Sequence, residues 1–175
     1  RVSGPDPRPR VEHCGYPTPE QARRFTEYGV IPVNQPNFLH DSGGDFMRRL
    51  GERAHRLQPM REEIDLGLRP VLSSDSFVSS LRPMDTVANA VRRTTREGEP
   101  IGAEQAVTLH EALRAHTLDA AYSLGVEDRL GALRPGHLAD VVVLDQDVES
   151  LPQERLREVN AWMTVLDGRI VHRVA

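Results

Sequence analysis

Apolar residues along this chain recur with two different periods, and the switches between them mark out its elements. Residues 10–14 are short and extended, a predicted strand that ends on His13. From Thr18 the spacing becomes helical, with Ala22, Phe25 and Tyr28 on one face. Thr18 is a good N-cap, Pro19 suits the first helical position and Gln21 sits at N3, while Gly29 is placed to stop the helix. Residues 30–33 follow as a second strand, weakened by Pro32, which cannot donate to a ladder. Asp41-Ser42-Gly43-Gly44 reads as a loop, and beyond it Met47, Leu50, Ala54 and Leu57 recur at helical spacing. A short helix over 61–66 stops at Gly67, and residues 68–73 form a third strand that runs into a Ser-rich loop over 73–83.

The pattern then predicts a helix over 84–96 with Val87, Ala88 and Val91 inward. A capping box, Thr108-Leu109-His110-Glu111, opens a helix towards His116, and another helix over 118–124 ends at Gly125. After Gly125 the character changes. Pro135-Gly136 is a turn, residues 139–144 are an apolar strand, and strands over 159–166 and 169–174 flank Asp167-Gly168, a strong hairpin signal. Residues 1–9, rich in Pro and Arg, read as a loop. The chain divides into a β/α portion, 1–125, and a β-rich tail, 126–175.

The order strand, helix, strand, helix, strand implies a parallel sheet whose strand ends emerge on one face, where such folds keep their chemistry. Three such units cannot close a barrel of eight. An open three-stranded sheet leaves two edges unpaired, so the fragment alone is expected to be poorly stable or to need a partner.

Composition narrows the field. The chain has 175 residues, 27% of them charged, with a mean hydropathy of −0.47, a net charge of −4 and a pI near 6.0. Nothing there points to nucleic acid or an acidic membrane as partner. No apolar run approaches a membrane span and no signal peptide is visible, so a cytoplasmic location is expected. All 22 basic residues are arginine, so the chain has no lysine to modify into a metal bridge. Cys14, the only cysteine, excludes a disulfide framework and reads better as a buried thiol than as a nucleophile, since no base is paired with it.

Two residues at predicted strand ends carry the chemistry. His13 is either a polar strand-end residue or a neutral imidazole that ligates zinc or polarises bound water. Asp75, in Ser73-Ser74-Asp75-Ser76, is either a loop solvator or a metal ligand that accepts the proton of its water. Standing on one face, each strengthens the functional reading of the other. Asn34 and Gln35, ending strand two, are placed to hydrogen-bond substrate or to cap a turn. His40, in the Gly-rich loop, is a pocket residue or a solvated one, and His55 reads as surface. His110 and His116 do not form the i, i+4 pair of a zincin-like site. Glu12 reads as a structural ion-pair partner.

With these residues in view, the sequence resembles the C-terminal part of the amidohydrolase superfamily, in its family 3 branch, which includes N-substituted formamide deformylases. Arg10-Val11-Glu12-His13 resembles that branch's strand six, Gly29-Val30-Ile31 through Gln35-Pro36 its strand seven, and Ser74-Asp75 its strand eight. Thr108 to Ala115 resembles the following helix. The run from Pro135-Gly136-His137 to Leu144-Asp145 resembles the return into a small β-sandwich and is the most specific match. The resemblance implies an α/β fold, the C-terminal part of a TIM-like (β/α)8 metal-dependent hydrolase barrel over 1–125, and a β-sandwich segment over 126–175. It implies a divalent metal, zinc by preference, with His13 and Asp75 as ligands and Asp75 as general base, and a small-molecule amide or related C–N substrate. Ser73, Phe77 and Asp119 depart from the family's usual Gly, Pro and Asn, which bears on pocket shape more than on metal binding. The family's strand-one His-x-His, bridging Lys or Glu and strand-five His have no counterpart in these 175 residues. The chain is therefore expected to need the N-terminal barrel half or a partner chain, and to be inactive alone. Rival readings are a non-catalytic remnant or interaction module, and a deaminase or isomerase on the same scaffold.

Overall fold

The structure, a computed structural model, describes residues 7–175. The expected loop over 1–9 lies outside the described residues for positions 1–6; residues 7–9 carry no regular structure. The first sheet is parallel, in the order β1 (Arg10–Val11), β2 (Ile31–Asn34) and β3 (Val71–Leu72). Arg10 faces Ile31, and Val33 faces Val71. β2 is buried along its whole length, whereas β1 is an exposed edge. Pro32 is tolerated because backbone groups alternate sides along a strand: Ile31 donates to Pro9 O towards β1, and the missing donor of Pro32 faces β3, where pairing begins only at Val33.

Local signals set the helix starts. α1 (Pro19–Tyr28) has the full capping box at Thr18 and stops at Gly29, which takes a left-handed φ of 61°. α5 (Leu109–His116) repeats the box: Glu111 N–H donates to Thr108 Oγ1 at 3.2 Å and Thr108 N–H to Glu111 Oε2 at 2.8 Å. Glu111 also pairs with Arg61 at 2.8 Å, which ties this cap to a neighbouring helix. Thr108→Ala is expected to lower stability by about 1 kcal/mol, read as a lower urea midpoint at unchanged slope.

Two expectations are corrected. Asp41-Ser42-Gly43-Gly44 is not a loop; it lies inside α2 (Asn37–Leu50), which continues as a 3-10 helix over Gly51–Arg56. The glycine has a packing reason, since a Cβ on Gly43 would stand 2.9 Å from Thr95 Cγ2. His40 is therefore a helical residue. His55 is not a free surface residue, because its Nδ1 accepts the Gly102 N–H at 3.1 Å.

α3 (Met60–Asp65) leads to β3, and α4 (Pro83–Arg92) follows. Residues 84–91 of α4 are all buried, more than a one-sided helix needs, because α2, α5 and a 3-10 helix over Gln153–Glu158 pack around it. The helix expected to reach residue 96 ends four residues earlier, where Arg93 turns left-handed at φ 47°. Its buried guanidinium donates to the carbonyls of Leu57, Gln58, Ile101 and Gly102 at 2.6–3.1 Å. α6 (Leu118–Leu124) follows α5, and its Asp119 pairs with Arg114 at 3.0 Å.

The second sheet is antiparallel, in the order β4 (Val141–Leu144), β5 (Ala161–Leu166) and β6 (Arg169–Arg173). Asp167 and Gly168 both have positive φ, as a two-residue hairpin turn demands. The sheet shows much apolar surface: Ile170 and Val171 are 59% and 58% exposed, and Val142 is 54% exposed. Among the described residues no helix is long and apolar enough to cross a membrane.

Candidate active face

The C-terminal ends of β1, β2 and β3 bring four of the singled-out residues to one end of the parallel sheet. His13 lies two residues past β1 in a turn, its backbone left-handed at φ 54°. Cys14 N–H donates to Val33 O at 3.0 Å and fixes the turn against β2. The exposed imidazole stacks on Phe38 with ring centroids 6.3 Å apart and planes 2° from parallel. Asp75 follows β3 by three residues and is also left-handed, at φ 51°. Its N–H donates to Ser73 Oγ at 3.3 Å, and its carbonyl accepts the Val78 N–H at 2.7 Å. Ser79 Oγ donates to Ser74 O, and Asn37 Nδ2 donates to Ser79 Oγ at 3.0 Å, so α2 pins the loop that presents Asp75.

Left-handed backbone is uncommon outside glycine, and such strained positions cluster at functional sites. His13 and Asp75 share that conformation and that face. β1 and β3 flank β2, so the two strand ends stand roughly 10 Å apart, two interstrand spacings. An imidazole and a carboxylate are donors that suit zinc, but a catalytic zinc takes three protein ligands. Among the described residues no group of three or more His, Cys, Asp or Glu is placed to hold one. The donor types fit a metal; their number supplies only part of its ligand set.

Behind this pair lies a buried polar layer. Asn34, fully buried at the end of β2, donates from Nδ2 to Glu63 Oε2 at 2.7 Å. Gln35 N–H donates to Gln58 Oε1 at 3.0 Å. Three buried oxygens, Asn34 Oδ1, Gln35 Oε1 and Glu63 Oε1, have no partner. Burial pushes the Glu63 carboxyl up to about 8, so it is largely protonated at neutral pH. Glu63 is the residue sequence reasoning missed. The available signal was its place three residues after Met60, one turn along the same inward face of α3. The Cys14 thiol is pushed up to about 12, first by burial and then by the Glu63 charge, which suits a structural thiol and not a nucleophile.

His40 stands apart from the other candidates. Its imidazole meets the Arg157 guanidinium, and burial first, then that cation, lowers its pKa. Its carbonyl accepts the Arg96 N–H at 3.0 Å. Glu12 pairs with Arg10 at 2.8 Å, the structural role its position suggested.

Comparison with known proteins adds an independent line. The sequence profile of the amidohydrolase family matches residues 2–172. An N-substituted formamide deformylase from Arthrobacter pascens is 32% identical over 170 residues, which cover 96% of this chain and 31% of that protein. An uncharacterized metal-dependent hydrolase from Pyrococcus horikoshii superposes with a TM-score of 0.73 at 25% identity, over 83% of this chain and 30% of its own. An adenosine deaminase from Xanthomonas campestris with bound zinc superposes with a TM-score of 0.68 at 19% identity, over 94% of this chain and 37% of its own. The chain thus spans about a third of the length of these proteins, and its α/β fold is that of part of a TIM-barrel hydrolase.

Proposed function

The chain belongs to the amidohydrolase family, and from that premise we propose that it forms part of a metal-dependent hydrolase of carbon–nitrogen bonds other than peptide bonds. The substrate is a small-molecule amide or a related C–N compound. The observation that carries this reading is the pair His13 and Asp75, left-handed on one face of a parallel sheet. In it, His13 is a metal ligand whose ring plane is held by Phe38. Asp75 is the second ligand from this chain and the general base. Zinc, when bound, would lower the pKa of the attacking water to about 7. Asp75 accepts the proton of that water and returns it to the leaving nitrogen, which departs as a neutral amine. Gln35, which lines the pocket beside His13, orients substrate there, Asn34 holds the end of β2 behind it through its bond to Glu63, and His40 stands on the flank in α2.

The remaining ligands come from outside these residues, either from the N-terminal two thirds of the relatives' length or from a partner chain. Alone, the 175-residue chain is inactive. Purified and dialysed against zinc, it is expected to retain the metal substoichiometrically and to hydrolyse no amide; stoichiometric zinc with amide hydrolysis overturns the inactivity. In the catalytically complete protein, chelation is expected to abolish amide hydrolysis. Activity unchanged by a chelator would overturn the metal-dependent reading.

A further inference from the structure

The peptide that joins Ser74 to Asp75 is held at both of its polar ends. Its N–H donates to Ser73 Oγ at 3.3 Å, and its carbonyl accepts the Ser79 hydroxyl. On the far side of Asp75, the residue's own carbonyl accepts the Val78 N–H at 2.7 Å. Together these bonds fix both backbone torsions of Asp75, and so the direction in which its carboxylate leaves the chain. They also hold a left-handed φ of 51°, from which an aspartate relaxes when nothing constrains it.

Behind Ser79 stands a buried amide. Asn37, 1% exposed at the start of α2, donates from Nδ2 to Ser79 Oγ at 3.0 Å. The same Nδ2 reaches Ser80 O at 3.4 Å and Thr86 Oγ1 at 3.2 Å, while Oδ1 accepts Asn89 Nδ2 at 2.8 Å. Thr86 and Asn89 are buried in α4. The donors therefore run one way, from Asn89 through Asn37 and Ser79 to the carbonyl of Ser74. Because Asn37 donates, the Ser79 proton is free for Ser74. A carboxylate at position 37 could only accept, and would draw that proton away. None of these bonds caps α2, which starts without a side-chain cap. Apolar side chains could fill the same space at little cost if both partners of each bond were replaced. What the amide adds is a tie between α4 and the loop.

We propose that Asn37 is a positioning residue for the Asp75 carboxylate, acting through Ser79 on the 74–75 peptide. The proposal rests on the reading of Asp75 as general base, and adds to it the residues that aim the base. The loop has a separate anchor further on, where Ser80 Oγ donates to the buried Asp85 carboxylate at 2.6 Å. Cutting the Asn37 link should therefore loosen residues 74–79 without releasing the loop from α4.

Two substitutions cut that link at different points, Ser79→Ala in the half-buried loop and Asn37→Leu in the interior. In the 175-residue chain, amide exchange at Asp75 and Val78 is expected to quicken about tenfold in each, while α4 keeps its protection. Ser79→Thr, which retains the hydroxyl, should restore the slow exchange. In the catalytically complete protein, Ser79→Ala and Asn37→Leu should each lower kcat about 10–10²-fold at nearly constant KM, as a displaced base does. Added to Asp75→Asn, Ser79→Ala should cost nothing further, because the carboxylate it aims is gone. A merely structural contact would cost the same in either background. Unchanged exchange at residues 75 and 78 in Ser79→Ala, or a fully additive loss beside Asp75→Asn, overturns the proposal. A slow Asp75→Asn with an unimpaired Ser79→Ala removes the positioning role alone. An unimpaired Asp75→Asn removes the general-base reading, and this proposal with it. Should Asn37→Leu fail to fold, Ser79→Ala, which deletes a single oxygen, decides the matter.

Discussion

Asp75→Asn in the catalytically complete protein is expected to lower kcat by about 10²–10⁴-fold, the range spanned by a positioned general base. The change keeps the size of the side chain and its place between Ser73 and Val78, whose backbone bonds to residue 75 do not involve the carboxylate. Folding should therefore survive, and the thermal midpoint serves as the control. Metal content should fall alongside, since Asp75 is also the second ligand that this chain supplies. His13→Ala should differ in kind, losing metal first and activity as a consequence, so that excess zinc restores part of kcat. A kcat for Asp75→Asn within twofold of the parent would remove Asp75 from the reaction.

Glu63→Gln should have the largest effect on stability, and that effect should depend on pH. The carboxyl titrates near its ordinary 4.5 in the unfolded chain and near 8 in the folded one. Below pH 4.5 both states carry the proton. Between 4.5 and about 8 the unfolded chain releases it and the folded chain keeps it, so rising pH favours unfolding by roughly 1.4 kcal/mol per unit. Above 8 the loss is complete. Glutamine keeps the oxygen that accepts from Asn34 and has no proton to lose. In urea titrations its advantage over the parent should grow from near zero at pH 4.5 to on the order of 4–5 kcal/mol at pH 8. Parallel stability curves for the two proteins would rule out a neutral buried Glu63.

Elements that depend on neighbours in sequence were legible. Thr18 and Thr108 announce their helices because the capping partners stand three residues away, and Asp167-Gly168 announces its hairpin because the turn needs two positive φ values. The strands over 10–14 and 68–73 were found but drawn too long. Each has only β2 beside it, so just two residues of each complete a ladder. The Gly43-Gly44 segment misled because local composition favours a loop, while contact with Thr95, some fifty residues on, rewards a helix with a bare position. For the candidate site, His13 and Asp75 could be picked out as strand-end residues and given roles by resemblance. Glu63 and the cavity beside His13 could not. Their properties come from the approach of α3 and the 57–58 segment to β2, which no short window of sequence encodes.

Arg93 turns an oddity of composition into a constraint. Its guanidinium spreads donors in a planar fork over four carbonyls drawn from two separate loops, at 57–58 and at 101–102. A lysine ammonium has three protons on a single atom, radiating from one point, and could not serve four oxygens at that spread. At an exposed position such as Arg48, exchanging arginine for lysine would alter little. At position 93 it would strand at least one carbonyl in the interior, so the absence of lysine there is a requirement of the fold and not a habit of the gene.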